Sequence, residues 1–182
     1  MIRAIKYFKN NRTLYLAIGF TLVFFLFLTY ILAPFSSCFK LDSGANSLGI
    51  SFSYTLEMVQ NFFESRTEEQ LLCYGEFLQI WDAIFAFVYT LMYVSWIVYF
   101  FNNKRLFLIF PILCMIADWA ENYVESFMLE IYLNSSPISE TLVSIGSGIN
   151  SFKWMLSSIT YLIILLGIII KLKTFLTKPK LH

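Results

Sequence analysis

The chain has 182 residues, of which 58% are hydrophobic, 19% are aromatic and only 14% are charged. Soluble domains carry about 25% charged residues, so this composition and the long apolar runs exclude an ordinary soluble domain and indicate an integral membrane protein. The formal net charge of +1 gives no support for a nucleic-acid partner. The chain also lacks a nucleic-acid-binding motif and a Gly-rich phosphate loop, so no nucleic acid is expected to bind.

Four segments are each long enough to cross a bilayer core, which requires roughly 20 residues. They are residues 14–34, 77–101, 106–128 and 142–170. The apolar stretch of the first is longer than that of a cleavable signal peptide, and no A-x-A-like site follows it, so we interpret it as a span. The sequence therefore predicts one all-α domain over residues 1–182, a polytopic four-helix transmembrane bundle.

Basic residues cluster on one predicted side of this bundle. Ten of the thirteen lysines and arginines lie before the first span, between the second and third, or after the fourth: Arg3, Lys6, Lys9, Arg12, Lys104, Arg105, Lys171, Lys173, Lys178 and Lys180. The connection 35–76 instead carries six acidic residues and two basic ones. By the positive-inside rule we expect an integral plasma (bacterial inner) membrane protein with both termini cytoplasmic and the 35–76 loop extracytoplasmic.

The 35–76 loop changes character along its length. Its first part is rich in turn residues, and its second part carries apolar residues near helical spacing with acids between them. We interpret the second part as one or two amphipathic helices that lie on the outer membrane surface or cap the bundle. An ordinary solvated helical loop with one buried side stays as an alternative. The apolar positions are Tyr54, Val59, Phe62, Phe63, Leu71, Leu72 and Phe77.

Two of the three cysteines, Cys38 and Cys73, fall in this loop. An oxidising compartment permits a disulfide between them, but the sequence leaves open whether their Cα atoms come close enough. Cys114 lies within the third span and is interpreted as a small apolar core residue. The chain has no C-x-x-C motif, which a thiol oxidoreductase would carry.

The third span carries an acidic face. Asp118, Glu121, Asn122 and Glu125 are spaced i, i+3, i+4 and i+7, which places them on one side of a helix in its outer half. We expect Glu125 to reach the membrane interface. The second and fourth spans also carry polar residues along one face: Asp82, Tyr89, Tyr93 and Trp96 in the second, and Asn150, Lys153, Trp154, Ser157 and Tyr161 in the fourth. Of these, Asp82, Asn150 and Lys153 are expected at the level of the acidic face.

This polar layer is costly in a membrane. A lone charge at mid-bilayer costs at least roughly 2.5–3.5 kcal/mol, so we expect the three helices to turn these groups toward one another. Lys153 is the only base at this level and the natural partner of Asp118 or Glu121. Because Asp82, Asp118 and Glu121 face one base, we expect one carboxyl to be protonated at neutral pH, or a cation or water-filled cavity to compensate. No metal or cofactor is expected, since the only histidine is His182.

Short motifs in a fixed order add a resemblance. The series "WDAIFAFVY", "ADWAEN" and "FKW" resembles uncharacterised bacterial four-span membrane proteins, which carry an aspartate at the head of the second span, D-x-x-E-N in the third and K-W in the fourth. The resemblance implies that six residues belong together, and it implies no activity: Asp82, Asp118, Glu121, Asn122, Lys153 and Trp154. The layout is also similar to that of four-span sterol-isomerase-like proteins, which place carboxylates, Asn and Trp in an outward or lumenal pocket, by analogy of architecture alone.

Three functions stay open. The leading hypothesis is a small integral membrane protein with a carboxylate-rich pocket in the outer half of the bundle that binds or modifies a lipid-like or amphipathic small molecule. An alternative is a non-enzymatic accessory or scaffold subunit of a membrane complex, whose polar layer specifies helix packing. A third is proton or ion conduction as an oligomer, which the apolar inner halves of the spans disfavour. Membrane lipid is an expected partner, while a homo-oligomer, a complex partner and enzymatic activity are left open.

The leading hypothesis assigns roles to particular residues. The candidate catalytic groups are Asp82, Asp118, Glu121 and Lys153, because a protonated carboxyl beside an ionised one can exchange protons with a ligand. The candidate ligand contacts are Asn122, Tyr89, Tyr93, Asn150 and Trp154. Of these, Asn122 would help Lys153 to orient the carboxyls, and the three aromatic side chains would form the walls of the pocket.

Overall fold

The computed structural model describes residues 2–41, 47–102 and 104–177, and the side chains of those ranges from residue 11 onward. The described part is helical and contains no strand. The side chain of His182 therefore lies outside the described part. So do those of five residues of the expected basic side: Arg3, Lys6, Lys9, Lys178 and Lys180.

Four helices are long and apolar enough to cross a membrane, which confirms the predicted all-α, four-helix bundle. The first is α1 (Ile2–Phe27), which continues through a π-helical turn (Leu28–Leu32), the short α2 (Ala33–Phe35) and a 3-10 turn (Ser36–Phe39). The other three contain α5 (Ala83–Phe101), α6 (Ile109–Leu133) and α7 (Glu140–Leu176). In the bundle α6 packs mainly on α7, and α1 packs mainly on α5.

The second spanning helix begins nine residues before its predicted start at Phe77. The helix α4 (Glu68–Glu76) runs through a π-helical segment (Phe77–Asp82) directly into α5. Its first turn is closed by a capping box between Thr67 and Gln70. Hydropathy locates the start of the apolar run, not the start of the helix. Because no proline interrupts residues 68–82, the helix extends beyond the apolar run into the predicted loop.

The loop between the first two spans forms a cap on one end of the bundle. Besides α4, the cap contains the 3-10 turn Leu48–Ile50 and the helix α3 (Leu56–Glu64), whose N-cap Thr55 accepts a hydrogen bond from the Met58 amide. The apolar side chains of the cap share one buried cluster with the neighbouring ends of α6 and α7: Tyr54, Val59, Phe62, Phe63, Leu71, Tyr74, Met128, Leu129 and Val143. The apolar face predicted from helical spacing therefore contacts the bundle, as the capping interpretation expected, except at Leu72, whose side chain is exposed.

A disulfide joins the end of the first spanning helix to α4. Cys38 and Cys73 are bonded, with their Cα atoms 6.4 Å apart, which the sequence had left open. Arg66 reinforces this junction: its Nε donates to the Phe39 carbonyl at 2.8 Å, and its Nη1 donates to the Phe62 carbonyl at 2.7 Å. The side chain is 8% exposed, and this burial lowers the pKa of the guanidinium.

Loss of the disulfide should destabilise the protein without changing the bundle. The bond closes a loop of about 35 residues, and the chain-entropy account assigns such a cross-link about 2–4 kcal/mol. We therefore expect Cys38→Ser/Cys73→Ser to lower the unfolding temperature measured in detergent. A reductant should lower the unfolding temperature of the wild type and leave that of the double variant unchanged. An equal response of the two proteins to the reductant would contradict the bond.

Candidate functional site

A buried lysine lies at the centre of the predicted polar layer. The Lys153 Nζ on α7 is 3.1 Å from the Asp118 Oδ1 on α6 and also forms an ion pair with the Glu121 Oε2 one turn further along that helix. The exposed fractions of the side chains are 12% for Lys153, 6% for Asp118 and 1% for Glu121. The sequence predicted one of these two partners, and the structure provides both.

Three hydrogen bonds join the second span to the layer. The Tyr89 hydroxyl of α5 donates to the Asp118 Oδ2 at 2.9 Å. The Asn122 Nδ2 donates to the Asp82 Oδ2 at 2.9 Å and to the Leu78 carbonyl at 3.2 Å. Leu78 and Asp82 belong to the π-helical segment, a geometry that recurs at functional sites because it displaces residues from their usual helical positions. One face of α6 is thus bonded to α5 on one side and to α7 on the other.

Glu125 corrects one expectation. We expected its carboxyl at the membrane interface, but the residue is 0% exposed and its Oε2 accepts a hydrogen bond from the Tyr74 hydroxyl of α4. The physical reason is the cap, which covers this end of α6 and turns an interfacial position into an interior one. Sequence reasoning missed the role of Tyr74, because no local pattern indicates a hydroxyl contact with a residue 51 positions away.

The cap also reaches into the layer through a glycine. The Gly49 carbonyl accepts hydrogen bonds from the Trp154 Nε1 at 3.1 Å and from the Lys153 Nζ at 3.4 Å. A Cβ at position 49 would lie 3.0 Å from the Glu121 Oε1, which is tighter than ordinary van der Waals contact. Glycine thus lets the cap backbone approach the ion pair closely. No local sequence pattern predicts this contact, which joins residues 104 and 105 positions apart.

The chain that follows Gly49 is bonded along α7 by main-chain and side-chain contacts. The Asn150 Nδ2 donates to the Ser51 carbonyl at 2.6 Å. One turn away, the Tyr54 amide donates to the Ser147 Oγ at 2.9 Å. Asn150 was predicted as a ligand contact, and in the structure its Nδ2 bonds α7 to this segment of the cap.

The layer borders a partly open cavity of about 270 Å³. Seven of the predicted site residues line it, together with Cys114, Glu125, Ser157 and Tyr161: Asp82, Asp118, Asn122, Lys153, Tyr89, Tyr93 and Trp154. Glu121 does not line the cavity, because its carboxyl lies behind Lys153. The cavity is therefore lined by three carboxyl residues, a lysine and three tyrosines, a set of groups able to bind a polar head or to exchange protons with it.

A wider groove lies on the outer surface between α4, α5 and α6. It has a volume of about 990 Å³, and its lining includes the exposed side chains of Trp119, Tyr123 and Phe127. Leu78 and Asn122 line both this groove and the cavity, so the two spaces adjoin at these residues. Among the residues that the structure describes, no three His, Cys, Asp or Glu side chains are arranged to hold a metal ion.

Comparisons with protein-family models, with curated proteins and with solved structures found no match to this chain. The resemblance to four-span bacterial membrane proteins therefore stays an expectation from sequence motifs. The function is therefore inferred from the geometry of the cavity and of the polar layer.

The ion pairs of Lys153 should dominate the stability of the α6–α7 contact. Lys153→Met leaves two buried carboxylates without their cation, and breaking a buried pair in this way costs about 3–5 kcal/mol. Combining it with Glu121→Gln should recover part of that loss, because the double variant leaves one fewer buried charge. The measurement is thermal unfolding in detergent of Asp118→Asn, Glu121→Gln and Lys153→Met, singly and with each acid change paired with Lys153→Met.

Lys173→Met is the matched control, since this lysine lies on α7 and is exposed. It should leave the unfolding temperature almost unchanged. If Lys153→Met were as stable as the control variant, the ammonium group would not be paired in the folded protein.

Proposed function

We propose that this protein binds or modifies an amphipathic, lipid-like small molecule in the cavity between α5, α6 and α7. The observation that carries the proposal is that charged, phenolic and indole groups from three helices converge on one cavity rather than only on one another. A layer that served helix packing alone would gain stability by closing this space, because a cavity costs packing energy.

The size of the cavity supports a small polar head. Its volume of about 270 Å³ lies just below the roughly 300–1,000 Å³ of pockets that enclose drug-sized ligands. Only part of a lipid-like molecule would fit inside. The apolar groove beyond Leu78 and Asn122 offers room for the remainder, and it opens on the outer surface of the bundle.

Each residue of the site has a role in this proposal. Asp82 and Asp118 are the acid/base or ligand-contacting groups, because both line the cavity. Lys153 balances their charge, Asn122 orients Asp82, and Glu121 holds Lys153 from behind the cavity wall. The aromatic side chains of Tyr89, Tyr93 and Trp154 form the walls.

The proposal includes a location in the cell. We infer an integral plasma (bacterial inner) membrane protein with cytoplasmic termini, so that the cap is extracytoplasmic and the cavity opens toward the outer leaflet. The distribution of lysine and arginine supports this orientation, since the predicted cytoplasmic segments carry bases and no acids. A cap joined by a disulfide also fits an oxidising compartment.

The scaffold alternative has one observation in its favour. Lys153 is paired with two acids at once, and such networks hold membrane helices together without any ligand. The two functions differ in what the cavity contains, because a scaffold requires no occupant. A test of the cavity itself therefore separates them.

A side chain that fills the cavity should displace the ligand. Ser157 lines the cavity, and its neighbour Ser158 on α7 is exposed. We expect a compound that is enriched over bulk lipid in organic extracts of purified wild type and Ser158→Leu, and that falls at least about tenfold in Ser157→Leu. Mass spectrometry of the extracts measures this, and an unfolding temperature close to that of the wild type shows that Ser157→Leu is folded. Equal extracts from all three proteins would contradict the proposal.

The orientation can be tested with reporters. A fluorescent protein that matures only in the cytoplasm should be bright when fused after residue 182, and a periplasmic phosphatase fused there should be inactive. The opposite pattern should follow when each reporter is inserted in the 35–76 loop. Bright fluorescence from the loop insertion would overturn the proposed orientation.

A further inference from the structure

A second polar cluster lies between the ion pair and the cap, next to the cavity that the proposed function uses, which Glu125 also lines. It contains the Glu121 Oε1 and the Glu125 Oε1, which are buried and have no hydrogen-bond partner among the described residues. The two carboxyl groups are one turn apart on the same buried face of α6 and interact electrostatically. Two buried carboxylates in this position repel each other unless a positive charge lies near both.

Two further unpartnered atoms belong to the same place. The Tyr54 hydroxyl is buried and has no partner among the described residues, and its pKa is raised by burial and then by the neighbouring Glu125 and Glu121 carboxylates. That hydroxyl also lies against Gly146 of α7. The Asn150 Oδ1, one turn further along α7, is equally buried and unpartnered. Along α7, Asn150 lies between Gly146, which contacts Tyr54, and Lys153, which contacts Glu121.

We propose that Glu121, Glu125, Asn150 and Tyr54 form a binding site for a small monovalent cation, of the size of Na⁺, at the junction of α6, α7 and the cap. Three of the four atoms can only accept hydrogen bonds, and the fourth is a hydroxyl oxygen. Hard cations select such all-oxygen sets of carboxylate, amide and hydroxyl ligands.

The local charge favours a cation at this site. Lys153 is shared by Asp118 and Glu121, whereas the Glu125 Oε2 is held by the neutral Tyr74 hydroxyl. The two glutamates therefore carry at least one negative charge that Lys153 does not balance, and a monovalent cation compensates one such charge. A single proton shared by the two glutamates would also balance the charge, but it would leave the Tyr54 hydroxyl and the Asn150 Oδ1 without partners.

The site is joined to the cavity through both carboxyl groups, because Glu125 lines the cavity and Glu121 holds Lys153, which lines it as well. The Glu121 Oε1 faces the cation site, and the Glu121 Oε2 holds Lys153, which lines the cavity. A cation at this site would attract the Glu121 carboxylate, which also positions the Lys153 ammonium group. Cation binding and occupancy of the cavity should then affect each other's affinity.

The test is the salt dependence of the unfolding temperature. Purified wild type in detergent is titrated with NaCl at constant ionic strength, with choline chloride as the replacement salt. We expect the unfolding temperature to rise by about 5 °C and to saturate, because a ligand that binds only the folded state stabilises it by mass action. An unfolding temperature that is the same in NaCl and choline chloride would overturn the site.

Variants locate the effect. Glu125→Gln keeps the shape of the side chain and removes the charge, so it should abolish the response to Na⁺, and Tyr54→Phe should weaken it at least about threefold in the Na⁺ concentration of half effect. Glu130→Gln is the control, because this glutamate lies on α6 and is exposed. It should respond as the wild type does. An undiminished response in Tyr54→Phe would overturn the assignment even if Glu125→Gln does not fold.

Two other ligands are separated by the same titration. If the unfolding temperature of the wild type depends on pH and is the same in NaCl and choline chloride, a shared proton occupies the pair and the proposal is wrong. If CaCl₂ stabilises the protein and NaCl does not, the site is divalent and the proposal is again wrong.

Discussion

The rest of the bundle depends on one interaction, the burial of the Lys153 ammonium group between the carboxylates of Asp118 and Glu121. A buried cation is tolerable only when its partners are in place, so this contact sets how α6 and α7 are rotated and aligned along each other. The other contacts of α6 follow from that alignment. With Asp118 and Glu121 turned toward α7, the same face directs Asn122 to the π-helical segment of the second spanning helix and Glu125 to the cap.

The cap is part of this polar layer rather than a separate lid. The Gly49 carbonyl receives the ammonium and indole hydrogens of Lys153 and Trp154, and the Tyr74 hydroxyl of α4 reaches Glu125. On the side of the cap, the charged groups are therefore covered by a backbone carbonyl and a phenol group rather than by lipid headgroups. This arrangement explains how a chain with few charged residues can keep several of them inside an apolar bundle.

The sequence predicted the parts of this arrangement that depend on local pattern. The four spans follow from apolar runs, and the spacing of Asp118, Glu121 and Asn122 gave the buried face of α6. The rest depends on contacts between distant parts of the chain, which local patterns do not encode. The burial of Glu125 requires a cap whose position no periodicity specifies, and the acceptor role of Gly49 requires a residue 105 positions away. The early start of the second helix was missed because hydropathy reports burial in lipid, whereas helix continuation depends on backbone hydrogen bonds.

The contacts that hold the cap along α7 have a consequence for the order of folding. They join positions 93 to 105 residues apart, and the cap is synthesised before the helix that supplies its partners. During synthesis, the first three spanning helices are made before α7 supplies Lys153, Asn150 and Trp154. Until then the acidic face of α6 lacks its partners and the cap is not docked. Closure of the polar interior is thus a late event, and the half-made protein exposes the carboxyl groups that the finished one conceals.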